Sequence, residues 1–320
     1  MPVLDMPLSE LKKYKGTNPC PPDLDEYWDI AIEEMNNVAP EIELIPINNC
    51  YPTVECFDLY FTGVKGARIY AKYVRPKVKD KPAPALIEFH GYSAKSADWA
   101  SLLSYAGQGY CVAALDCRGQ GGRSSDLGGV TGNTLNGHII RGLQSSDAHE
   151  LLFRHIFLDT AQLAKIVMNF AEVDENRVTA RGGSQGGGLA LACAALEPKI
   201  SKVSSLFPFL SDYQRVWEMD LAKDAYDELT RYFRNFDPLH EREKETFTKL
   251  GYIDVKNLAK RIKADVLMGI TQMDNICPPS TQFAAYNNIL SNKKYVLYPD
   301  FGHEWPPGFG DIEMNFILTN

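Results

Sequence analysis

The sequence predicts a protein of the α/β class, with a mostly parallel central sheet and helices on both of its faces. Apolar stretches typical of buried strands alternate along the chain with stretches of helical periodicity, and this alternation favours a parallel sheet. A glycine-rich turn also lies between one such strand and a small, apolar helix. The strands are expected at residues 84–90, 110–115, 176–181, 202–208, 265–270 and 294–298, after a hairpin at 54–61 and 67–74.

The remaining segments indicate a single domain over residues 1–320. Residues 1–50 form an N-terminal helical arm, in which apolar side chains between positions 23 and 38 recur at helical spacing. Residues 117–146 are rich in Gly, Ser and Asn, which is typical of a functional loop or an interface. Residues 211–262 carry many charges and aromatic rings and predict a helical insertion. We interpret it either as a lid over a site or as solvated helices without a role in access.

Composition excludes several classes of function. The 320 residues are 45% hydrophobic and 23% charged, with a net charge of −8, so the basic clusters that bind nucleic acid are not expected. No apolar stretch reaches the length of a membrane span, and the first residues do not resemble a signal peptide. We therefore expect a cytoplasmic protein without a membrane partner, unless an export segment preceded this sequence.

The cysteines and histidines predict no disulfide framework and no metal site. The seven cysteines are odd in number, scattered and without a C-x-x-C pair, which favours free thiols in a reducing compartment. His149, Glu150 and His155 do not form the H-E-x-x-H pattern of a zinc site. We expect neither a metal nor a cofactor.

Ser184 is the first candidate catalytic residue. Residues 182–186 read Gly-Gly-Ser-Gln-Gly, and a G-x-S-x-G turn between a strand and a helix is the nucleophile elbow of serine hydrolases. Small residues allow the sharp turn that exposes the serine oxygen above the sheet. The alternative is a glycine-rich connection with an idle serine.

A nucleophilic serine needs a base and an acid, which in hydrolases of this type follow it in the order acid, then histidine. Only His240 and His303 follow Ser184, and His240 lies in a charged stretch, so His303 is the candidate base. The strand-like stretch 265–270 is followed by a polar turn that ends at Asp274. This position after a strand makes Asp274 the candidate acid. The competing Asp300 is too close along the chain to reach the far side of the imidazole. A turn or capping role for Asp274 remains the alternative.

The oxyanion of an acyl-transfer reaction needs two backbone donors. One is expected from Gln185, the residue after the nucleophile, and the other from the loop that follows strand 84–90. Tyr92 is the candidate in that loop, where its ring would also line the acyl pocket. His90 precedes the nucleophile, so we interpret it as an orienting residue rather than a base.

These residues resemble the three-part signature of carbohydrate esterase family 7, the acetyl xylan esterases and cephalosporin C deacetylases. The signature corresponds to Arg118-Gly119-Gln120, Gly182-Gly-Ser-Gln-Gly186 and His303-Glu304. The similarity extends over nearly the whole chain, including residues 2–14, His90-Gly-Tyr92, residues 133–138, Pro208-Phe-Leu210 and Cys277-Pro-Pro-Ser280.

The resemblance implies an α/β-hydrolase fold, a triad of Ser184, Asp274 and His303, and an oxyanion hole at Tyr92 and Gln185. It also implies metal-independent removal of acetyl groups from small acetylated sugars and cephalosporin C, in a cytoplasmic homohexamer. Arg118 and Gln120 would hold the loop beside the site. Three alternatives remain open from the sequence: a general short-chain carboxylesterase, an oligopeptidase, and a non-catalytic binding protein of the same fold.

Overall fold

A computed structural model describes residues 4–48, 51–77, 81–126 and 133–319. Cys50 and residues 127–132 of the polar stretch lie outside these ranges. The strands are β1 (Glu43–Pro46), β2 (Val54–Thr62), β3 (Arg68–Pro76), β4 (Ala83–Phe89), β5 (Cys111–Leu115), β6 (Val173–Gly183), β7 (Lys202–Leu206), β8 (Asp265–Thr271) and β9 (Lys293–Tyr298). The α-helices are α1 (Leu8–Leu11), α2 (Leu24–Asn36), α3 (Trp99–Ala106), α4 (Leu152–Met168), α5 (Gln185–Leu196), α6 (Tyr213–Glu218), α7 (Asp227–Phe236), α8 (Glu243–Leu250), α9 (Val255–Leu258), α10 (Pro279–Asn288) and α11 (Phe309–Leu318).

The strands form one sheet in the order β1-β2-β3-β5-β4-β6-β7-β8-β9. From β5 to β9 all neighbours are parallel, whereas β1, β2 and β3 pair antiparallel at one end. The predicted mostly parallel sheet is therefore confirmed, with strand bounds shifted by at most three residues. β1 was not predicted, because its side chains are largely exposed and carry no apolar pattern.

Side chains of the central strands alternate between two apolar layers, as the two-residue period of a strand requires. In β4, Ala85 and Ile87 pack in the larger layer, which contains α4 and α5. Leu86 points to the opposite face and packs with side chains of α3 and α11. Helices therefore cover both faces of the sheet, as predicted. The described residues contain no helix that is long and apolar enough to cross a membrane.

The N-terminal arm is joined to the insertion through one buried carboxylate. Asp212 accepts hydrogen bonds from the backbone N–H groups of Thr17 and Asn18, at 2.9 and 2.8 Å, and from the Tyr14 hydroxyl at 2.8 Å. The backbone N–H of Asp212 donates in turn to Asp254, at 3.0 Å. Residues 211–262, which contain α6 to α9, are thereby tied to the start of the chain rather than projecting into solvent.

A buried ion pair holds the segment after β5, beside the carboxyl end of the sheet. The Arg118 guanidinium donates to both oxygens of Asp159 in α4, at 2.7 and 2.5 Å, and neither side chain is more than 2% exposed. Arg118 also donates to the Val64 carbonyl at 3.3 Å. A planar guanidinium matches a carboxylate with two parallel hydrogen bonds. The first signature residue therefore anchors its loop to a core helix.

Asp159→Asn should lower the free energy of unfolding by about 3–5 kcal/mol, because the buried Arg118 charge loses its counter-ion. Urea unfolding followed by circular dichroism measures the change. Glu150→Gln is the matched control, since Glu150 pairs with Lys65 at 2.7 Å in a half-exposed ion pair. That control should cost no more than about 1 kcal/mol. Equal losses in the two variants would contradict a special role for the buried pair.

Candidate active site

Ser184 occupies a sharp turn between β6 and α5. Its backbone has φ 55° and ψ −122°, a conformation that non-glycine residues seldom adopt. Three hydrogen bonds hold the peptide groups on both sides of it: the Ser184 N–H donates to the Leu206 carbonyl at 3.0 Å, and its carbonyl accepts from Phe209 and Gly188 at 3.0 and 3.1 Å. The side chain is therefore fixed at the carboxyl end of the strand, as the G-x-S-x-G pattern predicts.

The two outer glycines of the turn are required by close backbone contacts. A Cβ atom on Gly186 would lie 2.1 Å from the Phe89 carbonyl oxygen at the end of β4. A Cβ atom on Gly182 would lie 2.4 Å from the carbonyl carbon of Gly186. Helix α5 can therefore start directly against the sheet only with glycine at both positions.

The structure brings Ser184, His303 and Asp274 together. His303 Nε2 lies 2.9 Å from Ser184 Oγ, and His303 Nδ1 lies 2.8 Å from Asp274 Oδ2. Asp274 is fully buried, and its Oδ1 accepts the backbone N–H groups of Ile276 and Cys277 at 2.9 and 2.8 Å. The carboxylate is thus held on the far nitrogen of an imidazole that faces the serine hydroxyl, which is the arrangement that general-base catalysis by a triad needs.

The competing residues lie elsewhere. His240 is exposed, contacts Glu243 at 3.0 Å and stacks on Phe233 with ring centroids 4.8 Å apart. Asp300 is exposed, and Nδ1 of His303 is hydrogen-bonded to Asp274. The choice of His303 and Asp274 over these residues thus agrees with the geometry.

The two backbone N–H groups expected to bind an oxyanion follow β4 and begin α5. Gln185 is the first residue of α5, where the helix leaves N–H groups without an intrahelical acceptor. Within the described part of the chain, the N–H groups of Gln185 and Tyr92 donate to no protein acceptor. The role of these two groups as oxyanion donors stays a prediction from the sequence.

His90 orients the strand-end turn and is not placed to act as a base. Its Nε2 accepts the Cys117 backbone N–H at 3.0 Å, so the ring proton must be on Nδ1, which lies 2.7 Å from the Gly91 carbonyl. Burial lowers the pKa of His90 below its ordinary value, which favours this neutral form. The interpretation of His90 as an orienting residue therefore agrees with its contacts.

The side chain of Gln185 has a role that the sequence did not reveal. Gln120 Nε2 donates to Gln185 Oε1 at 2.9 Å, and Gln120 Oε1 accepts the Ser93 backbone N–H at 3.0 Å. Ser93 has φ 58°, so its loop needs such support. Both glutamine side chains are fully buried. The pair therefore joins the Tyr92 loop to the start of α5, and the signature residue Gln120 was the available signal.

Two aromatic residues beside the triad were also not predicted. The Phe207 ring lies 4.6 Å from the His303 ring, between centroids, and packs edge-on against Trp305 at 6.4 Å. Trp305 is 51% exposed, although a Cβ atom on Gly183 would lie only 2.9 Å from its ring. An apolar wall thus lies beside His303, and Ser184 and His303 are themselves partly exposed. The motif His-Glu-Trp was a sequence signal for Trp305 alone.

Asp274, Cys277 and His303 form the one cluster of metal-ligand type found among the described residues, with ligand atoms within 4.8 Å of one another. Its donors suit a metal poorly. Asp274 and His303 are hydrogen-bonded to each other, and burial raises the pKa of the Cys277 thiol well above its ordinary value, with the Asp274 charge adding to the effect. A metal needs the thiolate form of cysteine.

Gly186→Ala should lower the free energy of unfolding by about 1–3 kcal/mol, because the new methyl group overlaps the Phe89 carbonyl, which is backbone and cannot move aside cheaply. Chemical denaturation measures it. Gly310→Ala is the control: a Cβ atom there meets no atom within 4 Å, and the residue lies in α11. That variant should be unchanged or stabilised, since alanine favours a helix over glycine. A tolerated Gly186→Ala would show that the elbow does not need this close approach.

Comparisons with known proteins identify the family of this chain. The chain matches the family model of acetyl xylan esterases (AXE1) over residues 1–320. The crystal structure of acetyl xylan esterase 1 from Thermoanaerobacterium sp. JW/SL YS485 is 65% identical, with a TM-score of 0.95 over 98% of this chain and 99% of that chain. The acetyl xylan esterase from Paenibacillus sp. R4 is 36% identical, with a TM-score of 0.91 over 98% and 99% of the two chains.

A curated relative is more distant. Acetyl esterase Axe7A from Xylanibacter ruminicola is 25% identical over 287 residues, which are 87% of this chain and 62% of that relative. This chain therefore spans less than two thirds of the length of that protein. Together, the similarities confirm the α/β-hydrolase fold and the enzyme class predicted from the sequence, a carboxylic ester hydrolase. The chain belongs to the acetyl xylan esterase family.

Proposed function

We propose that this chain is a serine esterase that removes acetyl groups from small acetylated sugars, such as acetylated xylo-oligosaccharides. The observation that carries the proposal is the continuous hydrogen-bonded series from Ser184 Oγ through His303 to Asp274, at 2.9 and 2.8 Å. The names of the relatives support acetyl as the acyl group and a sugar as the substrate class, since two are acetyl xylan esterases and a third is an acetyl esterase.

In the first half of the reaction, Ser184 Oγ attacks the acetyl carbonyl while His303 Nε2 takes the hydroxyl proton. The backbone N–H groups of Tyr92 and Gln185 donate to the oxyanion that forms. His303 then gives its proton to the sugar oxygen as the bond to the acetyl carbon breaks. The deacetylated sugar leaves, and the acetyl group remains on Ser184.

In the second half, water replaces the sugar. His303 takes a proton from water, whose oxygen attacks the acetyl carbon, and the oxyanion again faces Tyr92 and Gln185. When the intermediate collapses, His303 returns the proton to Ser184 and acetate leaves. Asp274 stabilises the positive imidazole and fixes its tautomer in both halves, with its other oxygen held by two backbone N–H groups.

We extend the proposal to cephalosporin C, to a homohexamer and to the cytoplasm on the resemblance to carbohydrate esterase family 7. Cephalosporin C carries the same acetyl ester, so an acetyl pocket does not discriminate against it. Among the described residues, Cys20, Cys117, Cys193 and Cys277 are free thiols, which suits a reducing compartment. A general short-chain carboxylesterase is the second candidate, supported by the half-exposed aromatic wall at Trp305.

Hydrolysis of p-nitrophenyl esters from acetate to octanoate tests the function. We expect the acetate ester to be cleaved fastest and Ser184→Ala to lower kcat by about 10⁴-fold or more, because the nucleophile is lost. Acetylated xylo-oligosaccharides and cephalosporin C then serve as substrates, with released acetate measured. A preference for long acyl chains would contradict acetyl specificity, and activity that survives in Ser184→Ala would contradict the assigned nucleophile.

Asp274→Asn should lower kcat on the acetate ester by about 10⁴-fold, since an amide no longer stabilises the imidazolium or its tautomer. Asp300→Asn removes the competing carboxylate, which is exposed, and should change kcat less than about two-fold, as expected of a surface charge. Steady-state kinetics on folded protein compare the two. A larger loss of kcat in Asp300→Asn than in Asp274→Asn would show that Asp274 is not the acid of the triad.

A further inference from the structure

A buried carboxylate of the helical insertion binds a backbone turn next to the candidate oxyanion hole. Glu228 lies in α7 and is 4% exposed. Its Oε2 accepts the backbone N–H groups of Ile139 and Ile140, at 2.7 and 3.3 Å. No lysine or arginine side chain forms an ion pair with Glu228 among the described residues. A buried carboxylate without a cation must be held by dipoles, and here these are peptide groups.

The turn presents several N–H groups to that carboxylate. Gly137 has φ 86°, a left-handed conformation that turns consecutive peptide groups toward one point. Burial raises the pKa of Glu228 to about 7, while the N–H groups of residues 137–140 act in the opposite direction by favouring the charged form. The ionised carboxylate and the conformation of the turn therefore stabilise each other.

The same turn contacts Tyr92. The His138 backbone N–H donates to the Tyr92 hydroxyl at 3.3 Å, and the two rings meet edge-on with centroids 5.2 Å apart. On its other side the Tyr92 ring packs edge-on against Phe209 at 5.6 Å. The neighbouring Ser93 hydroxyl donates to the Leu135 carbonyl. Residues 133–140 thus contact the loop of Tyr92 at two points, and His138 is fully buried.

We infer that Glu228 is a positioning residue of the reaction: it holds the turn at residues 137–140, which fixes the Tyr92 side chain and thereby the direction of the Tyr92 backbone N–H. The inference rests on the proposed function, in which that N–H donates to the oxyanion. It gives the insertion at 211–262 a role as a support for the oxyanion hole. The hydrogen bond from Ile139 to Glu228 spans 89 residues of sequence, so only the folded insertion provides it.

Glu228→Gln tests the inference at about pH 8.5, where the native carboxylate is ionised. The amide removes the charge, and its oxygen can still replace Oε2 as the acceptor from Ile139 and Ile140. Those two hydrogen bonds become weaker, because a neutral amide oxygen is a poorer acceptor than a carboxylate. We expect kcat on p-nitrophenyl acetate to fall by about 10-fold, less than the loss of a whole oxyanion donor, while KM changes by less than about two-fold. Inhibition by methylboronic acid, whose serine adduct places an oxygen in the oxyanion hole, should weaken by the same factor as kcat.

Asp227→Asn is the matched control, because Asp227 lies in the same turn of α7 and contacts Arg231 at the surface instead of the turn. All rates are divided by the concentration of active sites, titrated with a fluorophosphonate, so that misfolded protein does not count. A Glu228→Gln variant with wild-type kcat, or one that resembles Asp227→Asn, would overturn the inference.

A double-mutant cycle with Tyr92→Phe separates positioning from a loss of stability. Tyr92→Phe removes the hydroxyl that accepts from His138 and leaves the backbone N–H in place. If Glu228 acts through this contact, the double variant loses about as much kcat as the more damaging single variant. Losses that multiply would overturn the inference. A different result would contradict the proposed function itself, namely wild-type protein that does not cleave the acetate ester.

Discussion

The backbone of Ser184 is the constraint on which the site depends. A positive φ at a non-glycine residue costs on the order of 1–3 kcal/mol and persists only when its surroundings hold it. Here Leu206 and Phe209 bind the two peptide groups of Ser184, and glycines at 182 and 186 allow α5 to begin against the end of β4. Because that turn is fixed, helix α5 begins directly after the nucleophile, and the Gln185 N–H is the first of its donors without an intrahelical acceptor.

The parallel sheet collects the other groups around this turn. Tyr92 follows β4, Asp274 follows β8 and His303 follows β9, so all three come from the carboxyl ends of strands that are neighbours or near neighbours of β6. Carboxyl ends of parallel strands lie at one edge of a sheet, where loops vary without disturbing the core. The parallel arrangement of these strands therefore explains why residues far apart in the sequence lie at one edge of the sheet.

Buried polar groups fix the loops that the sheet alone leaves free. Arg118 is paired with Asp159, Gln120 with Gln185, and Glu228 with a turn of the backbone. Each of these groups is costly to bury without its partner, so each arrangement excludes alternatives in which the loop shifts. This explains why two polar signature residues that touch neither Ser184 nor His303 belong to the same motif as those that do.

Every strand except β1, the elbow and the order of Ser184, Asp274 and His303 could be predicted from the sequence, because hydrophobic periodicity and turn glycines are local properties of the chain. The sequence also predicted Gln185 and Tyr92, which follow strand ends. The folded chain was needed to show that Gln120 contacts Gln185, that the Phe207 ring packs between His303 and Trp305, and that Glu228 binds Ile139. Such contacts join residues far apart in sequence, and their energy depends on burial that no local pattern records.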